Sequence, residues 1–185
     1  MKRKILFLSL LVICFAILAS GTLAYFTASD TAHNIITTGK IDIRLDEWAD
    51  VDMSVPFEDA ANVMPGAKVT KIVTATNIGT ADAWVRVKVD KIILLAEGVT
   101  EKPDLSLLHI DYNTVMWKQM ADGYWYYTVP LTPGESTVPL FTTVYFDTAM
   151  GNMYQNSTAL VDVSVQAVQT ANNGTVFTEA AGWPE

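Results

Sequence analysis

Alternation of apolar and polar residues with a period of two is the feature that most restricts the fold of this 185-residue chain. It recurs in four segments, residues 41–45, 85–90, 138–146 and 159–167. Successive side chains of a β-strand point to opposite faces, so each segment predicts a strand with one face in a core and the other in solvent. Residues 68–76 and 124–129, which are rich in β-branched or aromatic side chains, predict two further strands.

Turn sequences separate these segments, namely Pro65-Gly66, Asn77-Ile78-Gly79, Asp122-Gly123, Pro133-Gly134 and Asn172-Asn173-Gly174. Several strands separated by such turns, with little helical periodicity, predict an antiparallel β-sandwich or a barrel. Residues 57–63 and 147–155 are the two segments whose composition permits one or two short helices. No linker, low-complexity tract or repeat divides residues 25–185, which we therefore expect to contain one domain.

The N-terminus of the chain predicts a cleavable signal-peptide helix. Basic residues 2–4 precede an apolar stretch, residues 5–19, and small side chains stand at Thr22 and Ala24. This pattern is typical of a leader that is cut between Ala24 and Tyr25. The alternative is a retained anchor, but the apolar run reaches the ~20 residues of a membrane span only by counting Ser, Gly and Thr. We expect a secreted protein that contacts the membrane only through its uncleaved leader.

After cleavage the chain is acidic and has no thiol. Nine basic and twenty acidic residues remain, which corresponds to a net charge of −11. Such a domain repels nucleic acid and anionic lipid, so neither is an expected partner. The single cysteine, Cys14, lies in the leader, so the mature protein must rely on packing without disulfides. This is more typical of a bacterial exterior protein than of a small disulfide-linked scaffold.

The sequence contains no recognisable catalytic motif. Its two histidines, His33 and His109, are not part of a His-Glu-x-x-His arrangement, and no serine lies in Gly-x-Ser-x-Gly. We therefore expect no catalytic residue, no resident metal or cofactor, and no enzymatic activity. Acidic residues 46–52 offer oxygen ligands to calcium, but the EF-hand spacing places Val55 where glycine is required. A solvated loop is the preferred interpretation, and calcium binding stays open.

Several short motifs along the chain match the pattern of a known family. They include the leader junction at residues 21–27 and the segment Thr-Gly-Lys-Ile-Asp-Ile at residues 38–43. Residues 77–87 match the pattern Asn-x-Gly-Thr-x-x-Ala-aromatic-Val-Arg-Val, and Pro133-Gly134-Glu135 and Ala167-Val168-Gln169 continue the match. On these residues the chain resembles the TasA/camelysin family of Gram-positive bacteria over nearly its whole length.

The resemblance implies a jelly-roll-like antiparallel β-sandwich at the cell surface or in the extracellular matrix. It also implies cleavage by a dedicated SipW-type signal peptidase and, as in the best-known members, polymerisation into biofilm fibres. The expected partners are that peptidase and then further copies of the chain or other matrix proteins. Two alternatives remain. One is a camelysin-like secreted metalloprotease, and the other is an adhesive or ligand-binding domain that uses the aromatic residues 124–127.

The segment after the cleavage site is a candidate donor strand. The chain divides into a signal peptide, an N-terminal extension and a sandwich domain, at residues 1–24, 25–39 and 40–185. The extension combines apolar Phe26, Ile35 and Ile36 with β-forming residues. Adding it to the edge of a neighbour's sheet would give affinity through backbone hydrogen bonds, and head-to-tail contacts grow open filaments. The alternative is a flexible tether.

Overall fold

The structure, a computed structural model, describes residues 40–58 and 65–184. They form eight strands: β1 (Ile43–Trp48), β2 (Lys68–Asn77), β3 (Ala83–Leu94), β4 (Leu108–Ile110), β5 (Trp117–Gln119), β6 (Trp125–Tyr127), β7 (Phe141–Phe146) and β8 (Thr158–Gln169). Three single-turn 3₁₀ helices are also present, at Leu105–Leu107, Asn152–Tyr154 and Phe177–Glu179. The predicted signal peptide and N-terminal extension lie outside the described residues.

The strands form two four-stranded antiparallel sheets that share one core. The strand order is β1-β2-β7-β4 in the first sheet and β5-β6-β3-β8 in the second. The predicted antiparallel β-sandwich is confirmed, and eight strands in two sheets agree with a jelly-roll-like arrangement.

Helical structure in the described residues is limited to single turns. Of the two segments that permit short helices, residues 147–155 contain the turn Asn152–Tyr154, and most of residues 57–63 lie outside the described range. Within residues 40–58 and 65–184, no helix has the length and hydropathy of a membrane span.

The core lies between the sheets and is built from the alternating residues. Val85 and Val87 of β3 are 0% and 1% exposed, and Val73 of β2 is 1% exposed. Trp117 and Phe141 are the largest fully buried side chains. Burial of an apolar side chain of this size contributes roughly 1.5–3 kcal/mol, so these contacts are the main source of stability.

Two predicted strands are shorter in the structure. The strand predicted over residues 138–146 begins only at Phe141, because Pro139 has no N–H to donate to a sheet. The strand predicted over residues 124–129 is reduced to β6, in which all three side chains are buried. The outward-facing ring of Tyr126 is covered by Trp183, so the C-terminal segment closes a face that the alternation assigns to solvent.

Candidate assembly site

β8 is the longest strand edge without a partner among the described residues. It pairs with β3 along its 12 residues, and no described strand is hydrogen-bonded to its other edge. The edge strands β4 and β5 have three residues each, and β1 has six, including charged Arg44, Asp46 and Glu47. β8 has a single charged residue, Asp162, and no proline. A long edge without lysine or proline is a template for the addition of another strand.

The core is incompletely covered where β1 and β8 lie next to each other, and we call this side of the sandwich the seam. The core-facing side chains along it are all partly exposed: Ile43 and Leu45 of β1, and Ala159, Val161, Val163, Val165 and Ala167 of β8. By contrast, Val87 of β3, which pairs with Val165, is 1% exposed. Apolar side chains from an added strand would bury this surface at roughly 25 cal/mol per Å².

The described chain begins at one end of the seam. Ile41, together with Ala167 and Val168 of β8 and Ala181 near the C-terminus, lines an open groove of about 540 Å³. The described chain therefore begins close to the C-terminal end of β8. The predicted site residues themselves lie outside the described residues: Thr22, Ala24 and Tyr25 at the cleavage site, and Phe26, Ile35 and Ile36 in the extension.

The aromatic residues 124–127 do not form an open platform. The guanidinium carbon of Arg86 lies 3.9 Å from the ring centroid of Tyr124 and 4.6 Å from that of Trp183. The Tyr126 hydroxyl donates to Asp122 at 2.7 Å, and burial raises the pKa of this hydroxyl. The guanidinium group of Arg86 and the C-terminal segment of the same chain therefore occupy the face on which a ligand would have to lie.

The acidic residues 46–52 do not converge on a common point. Asp46 and Glu47 form ion pairs with Arg44 and Lys71, at 2.7 and 2.9 Å. Asp50 accepts backbone N–H groups of the turn that follows it, and these hydrogen bonds lower its pKa. Three of the four carboxylates in this segment are therefore engaged by groups of the protein itself.

Comparison with models of protein families assigns the chain to one family. A model of the camelysin metallo-endopeptidase family matches residues 2–110, which is more than half of the sequence and includes the motif at residues 77–87. The chain belongs to this camelysin (TasA) family. Comparisons with curated proteins and with solved structures give no significant match.

The family assignment contradicts the prediction that the chain is not an enzyme. The family is described as a metallo-endopeptidase, which points to metal-dependent cleavage of peptide bonds. The prediction rests on the absence of linear motifs such as His-Glu-x-x-His. A fold can bring metal ligands together from distant positions, so a missing linear motif does not exclude an enzyme of this family.

A metal site would need ligands that the described residues do not bring together. His109 lies in β4, its Nε2 is 2.9 Å from Oδ2 of Asp147, and its ring stacks on Tyr145 with centroids 5.6 Å apart. The backbone N–H of Ala149, and then His109, lower the pKa of the Asp147 carboxylate. Asp111 lines a surface groove together with His109 and accepts three hydrogen bonds from Thr142 and Thr143.

Catalytic zinc sites use three protein ligands. Within residues 40–58 and 65–184, no three histidine or carboxylate side chains lie close enough to share a metal ion. The described residues therefore do not fit a zinc site, and His33 lies outside them.

None of the sequence motifs identifies β8 as an unpaired edge strand. Its alternation from Ala159 to Ala167 predicts a strand with one buried face, which is the pattern of any half-buried strand. The distinguishing signal is that twelve consecutive strand residues include only one charged side chain, Asp162, and no proline. Edge strands exposed to solvent usually carry more charged residues or a proline, so the composition of β8 makes it a candidate for pairing with another strand.

Proposed function

We propose that the mature chain is a structural subunit of the cell surface or extracellular matrix, and that its copies assemble by β-strand addition. The N-terminal extension of one copy pairs with β8 of the next and inserts apolar side chains such as Phe26 and Ile36 into the seam. The observation that carries the proposal is the seam, where a 12-residue unpaired edge adjoins partly exposed core residues on both strands.

The dimensions of donor and acceptor support the proposal. β8 spans about 40 Å at ~3.3 Å per residue, and the extension, residues 25–39, reaches at most about 50 Å. Donor and acceptor belong to the same chain, so each added copy presents a new acceptor and growth stays open. An extension that pairs with its own β8 would instead close the edge and stop growth.

Export would control the timing of assembly. In the precursor the leader is joined to Tyr25 and hinders insertion of the extension into a neighbour. A SipW-type signal peptidase would free this end only at the outer face of the membrane. Polymers would therefore form outside the cell, in agreement with a matrix location.

The test is sedimentation and electron microscopy of purified protein that begins at Tyr25. We expect wild type to form polymers above a critical concentration, and deletion of residues 25–37 to give folded monomers. Ile36→Pro should weaken assembly because proline cannot donate a backbone hydrogen bond, whereas Ile36→Val should behave like wild type. Circular dichroism controls for folding of each variant.

Two results would contradict the proposal. Polymers that form equally well from the deletion variant would show that the extension is not the donor. Wild type that stays monomeric over a wide concentration range would favour the adhesive or ligand-binding alternative.

The family description favours a second candidate function, a metal-dependent endopeptidase. Its test is cleavage of casein by the full mature protein before and after treatment with a chelator. Activity that is lost with chelator and restored by zinc supports this function, and His33→Ala and His109→Ala then show whether either histidine is a ligand. Casein that stays intact with added zinc contradicts it.

A further inference from the structure

The corner between β2 and β3, residues 77–80, holds the first described residues of the chain. The Lys40 N–H donates to Oγ1 of Thr80 at 3.0 Å, and the Thr80 N–H donates back to the Lys40 carbonyl at 2.9 Å. The Ile78 N–H donates to the Asp42 carbonyl at 3.0 Å. These three hydrogen bonds fix the backbone of residues 40–42 immediately before β1 begins.

Gly79 allows the two backbones to approach this closely. A Cβ atom at this position would overlap the carbonyl oxygen of Lys40 and would lie 2.8 Å from the backbone nitrogen of Asp42. The φ angle of Gly79 is not in the left-handed region. The glycine is therefore required for space rather than for an unusual backbone conformation.

Asn77 holds the corner itself in place. Its side chain is fully buried and donates to the carbonyls of Ala81 and Leu131, at 2.9 and 2.8 Å. Its Oδ1 accepts the Gly79 N–H at 2.9 Å. A buried amide whose groups are all paired fixes one local geometry, so the surface that meets Lys40 is rigid.

We infer that this corner, the clamp, is the positioning element of strand addition. It fixes the point where the N-terminal extension leaves the sandwich and therefore the number of free residues between the sandwich and the donor strand. This inference rests on the proposed assembly. A slip of one residue turns every side chain of a strand to the opposite face. If the backbone of residues 40–42 were not held by the clamp, Phe26 and Ile36 could therefore be misplaced relative to the seam.

The test compares the critical concentration for polymer formation among clamp variants of the mature protein. Thr80→Val removes the acceptor of the Lys40 N–H but keeps the side-chain shape, and we expect a rise of about fivefold, on the scale of one hydrogen bond. Thr80→Ser restores a hydroxyl and should return the wild-type value. Gly79→Ala should have the larger effect because it separates the two backbones.

Matched controls are available for both substitutions. Gly151→Ala introduces the same methyl group where φ is −82° and no atom lies within 4 Å. Thr70→Val makes the same change at an exposed position of β2. Both controls should polymerise like wild type. If Gly79→Ala does not fold, the comparison of Thr80→Val with Thr80→Ser still decides the inference.

Amide hydrogen exchange tests whether the clamp holds residues 40–42, independently of whether the protein polymerises. We expect faster exchange at Lys40 in the clamp variants, with Val85 and Val87 in the core unchanged. Faster exchange with an unchanged critical concentration would overturn the positioning role, and unchanged exchange would overturn the clamp. If wild type forms no polymer, the proposed function and the positioning role both fail, while exchange still reports whether residues 40–42 are held.

Discussion

Single polar side chains set the conformation of the loops around the sandwich. Asp111 accepts the backbone N–H groups of Thr142 and Thr143 at 2.8 and 2.7 Å, and so ties the start of β7 to the residues after β4. Asp147 accepts the N–H of Ala149 at 2.8 Å and thereby orders the turn after β7. Each carboxylate thus serves as an acceptor for backbone N–H groups of a neighbouring segment.

The Asp147 carboxylate leads to a prediction about pH. The Ala149 N–H and His109 lower its pKa in the folded state, so its stabilising contribution is present above the unfolded pKa of about 3.9 and is lost as the pH falls through the folded value. We expect Asp147→Asn to lower the urea midpoint near neutral pH, and the difference from wild type to shrink in acid.

The measurement is urea unfolding, followed by circular dichroism, at a series of pH values from neutral to strongly acidic. Asp52→Asn in the exposed loop before Phe57 is the matched control and should change the midpoint little. A difference between Asp147→Asn and wild type that is constant over the whole pH range would show that geometry, rather than charge, accounts for the loss.

At the scale of whole strands, the difference between β3 and β8 determines where a partner can bind. Both strands have twelve residues and the same alternation. β3 pairs with β8 along its length and with β6 at Arg86 and Val87, and it buries Val85 and Val87. β8 is paired on one edge only and leaves its core-facing valines partly exposed.

The edge of β8 gives a prediction with a matched pair of variants. Val165 faces the seam, so Val165→Lys would place a charge where a donor side chain must pack, and we expect it to abolish polymers. The long lysine side chain can reach water from this partly exposed site, so folding should be kept. Ser164→Lys adds the same charge on the outward face and should still polymerise. Sedimentation measures assembly and thermal unfolding measures stability; equal assembly of both variants would exclude the seam as acceptor.

At the scale of the whole molecule, net charge opposes the association of copies of the chain. The predicted mature chain, residues 25–185, would have a net charge of −11, so its copies would repel each other over roughly a Debye length, about 10 Å at 0.1 M salt. Contacts that overcome this repulsion must be short-ranged, as backbone pairing and apolar burial are.

The predicted maturation can be measured directly. We expect N-terminal sequencing of the extracellular protein to begin at Tyr25, because Thr22 and Ala24 supply the small side chains that signal peptidases require. Replacing Ala24 with Trp should leave the precursor on the membrane, whereas Ala24→Gly should permit release. Membrane-bound material that begins at Met1 in the wild type would support the retained-anchor alternative.

The sequence determines the strands whose signal is local. Alternation predicts β3 and β8, and β-branched residues predict β2, because these patterns depend only on residues that are neighbours in the chain. The turns at Asp122-Gly123 and Pro133-Gly134 follow for the same reason, and both glycines have positive φ. β4 and β5 are not predicted because three residues cannot display a period.

Only the tertiary structure decides which strand lies at an edge and what meets each turn. Val87 and Val165 belong to similar alternating segments and pair with each other, yet their exposure differs because strand order is set by contacts between distant residues. Likewise, Gly79 marks a turn in the sequence, but its close approach to Lys40 exists only once β1 and β2 have paired. Period two assigns a side chain to a face, and the fold determines whether that face is covered.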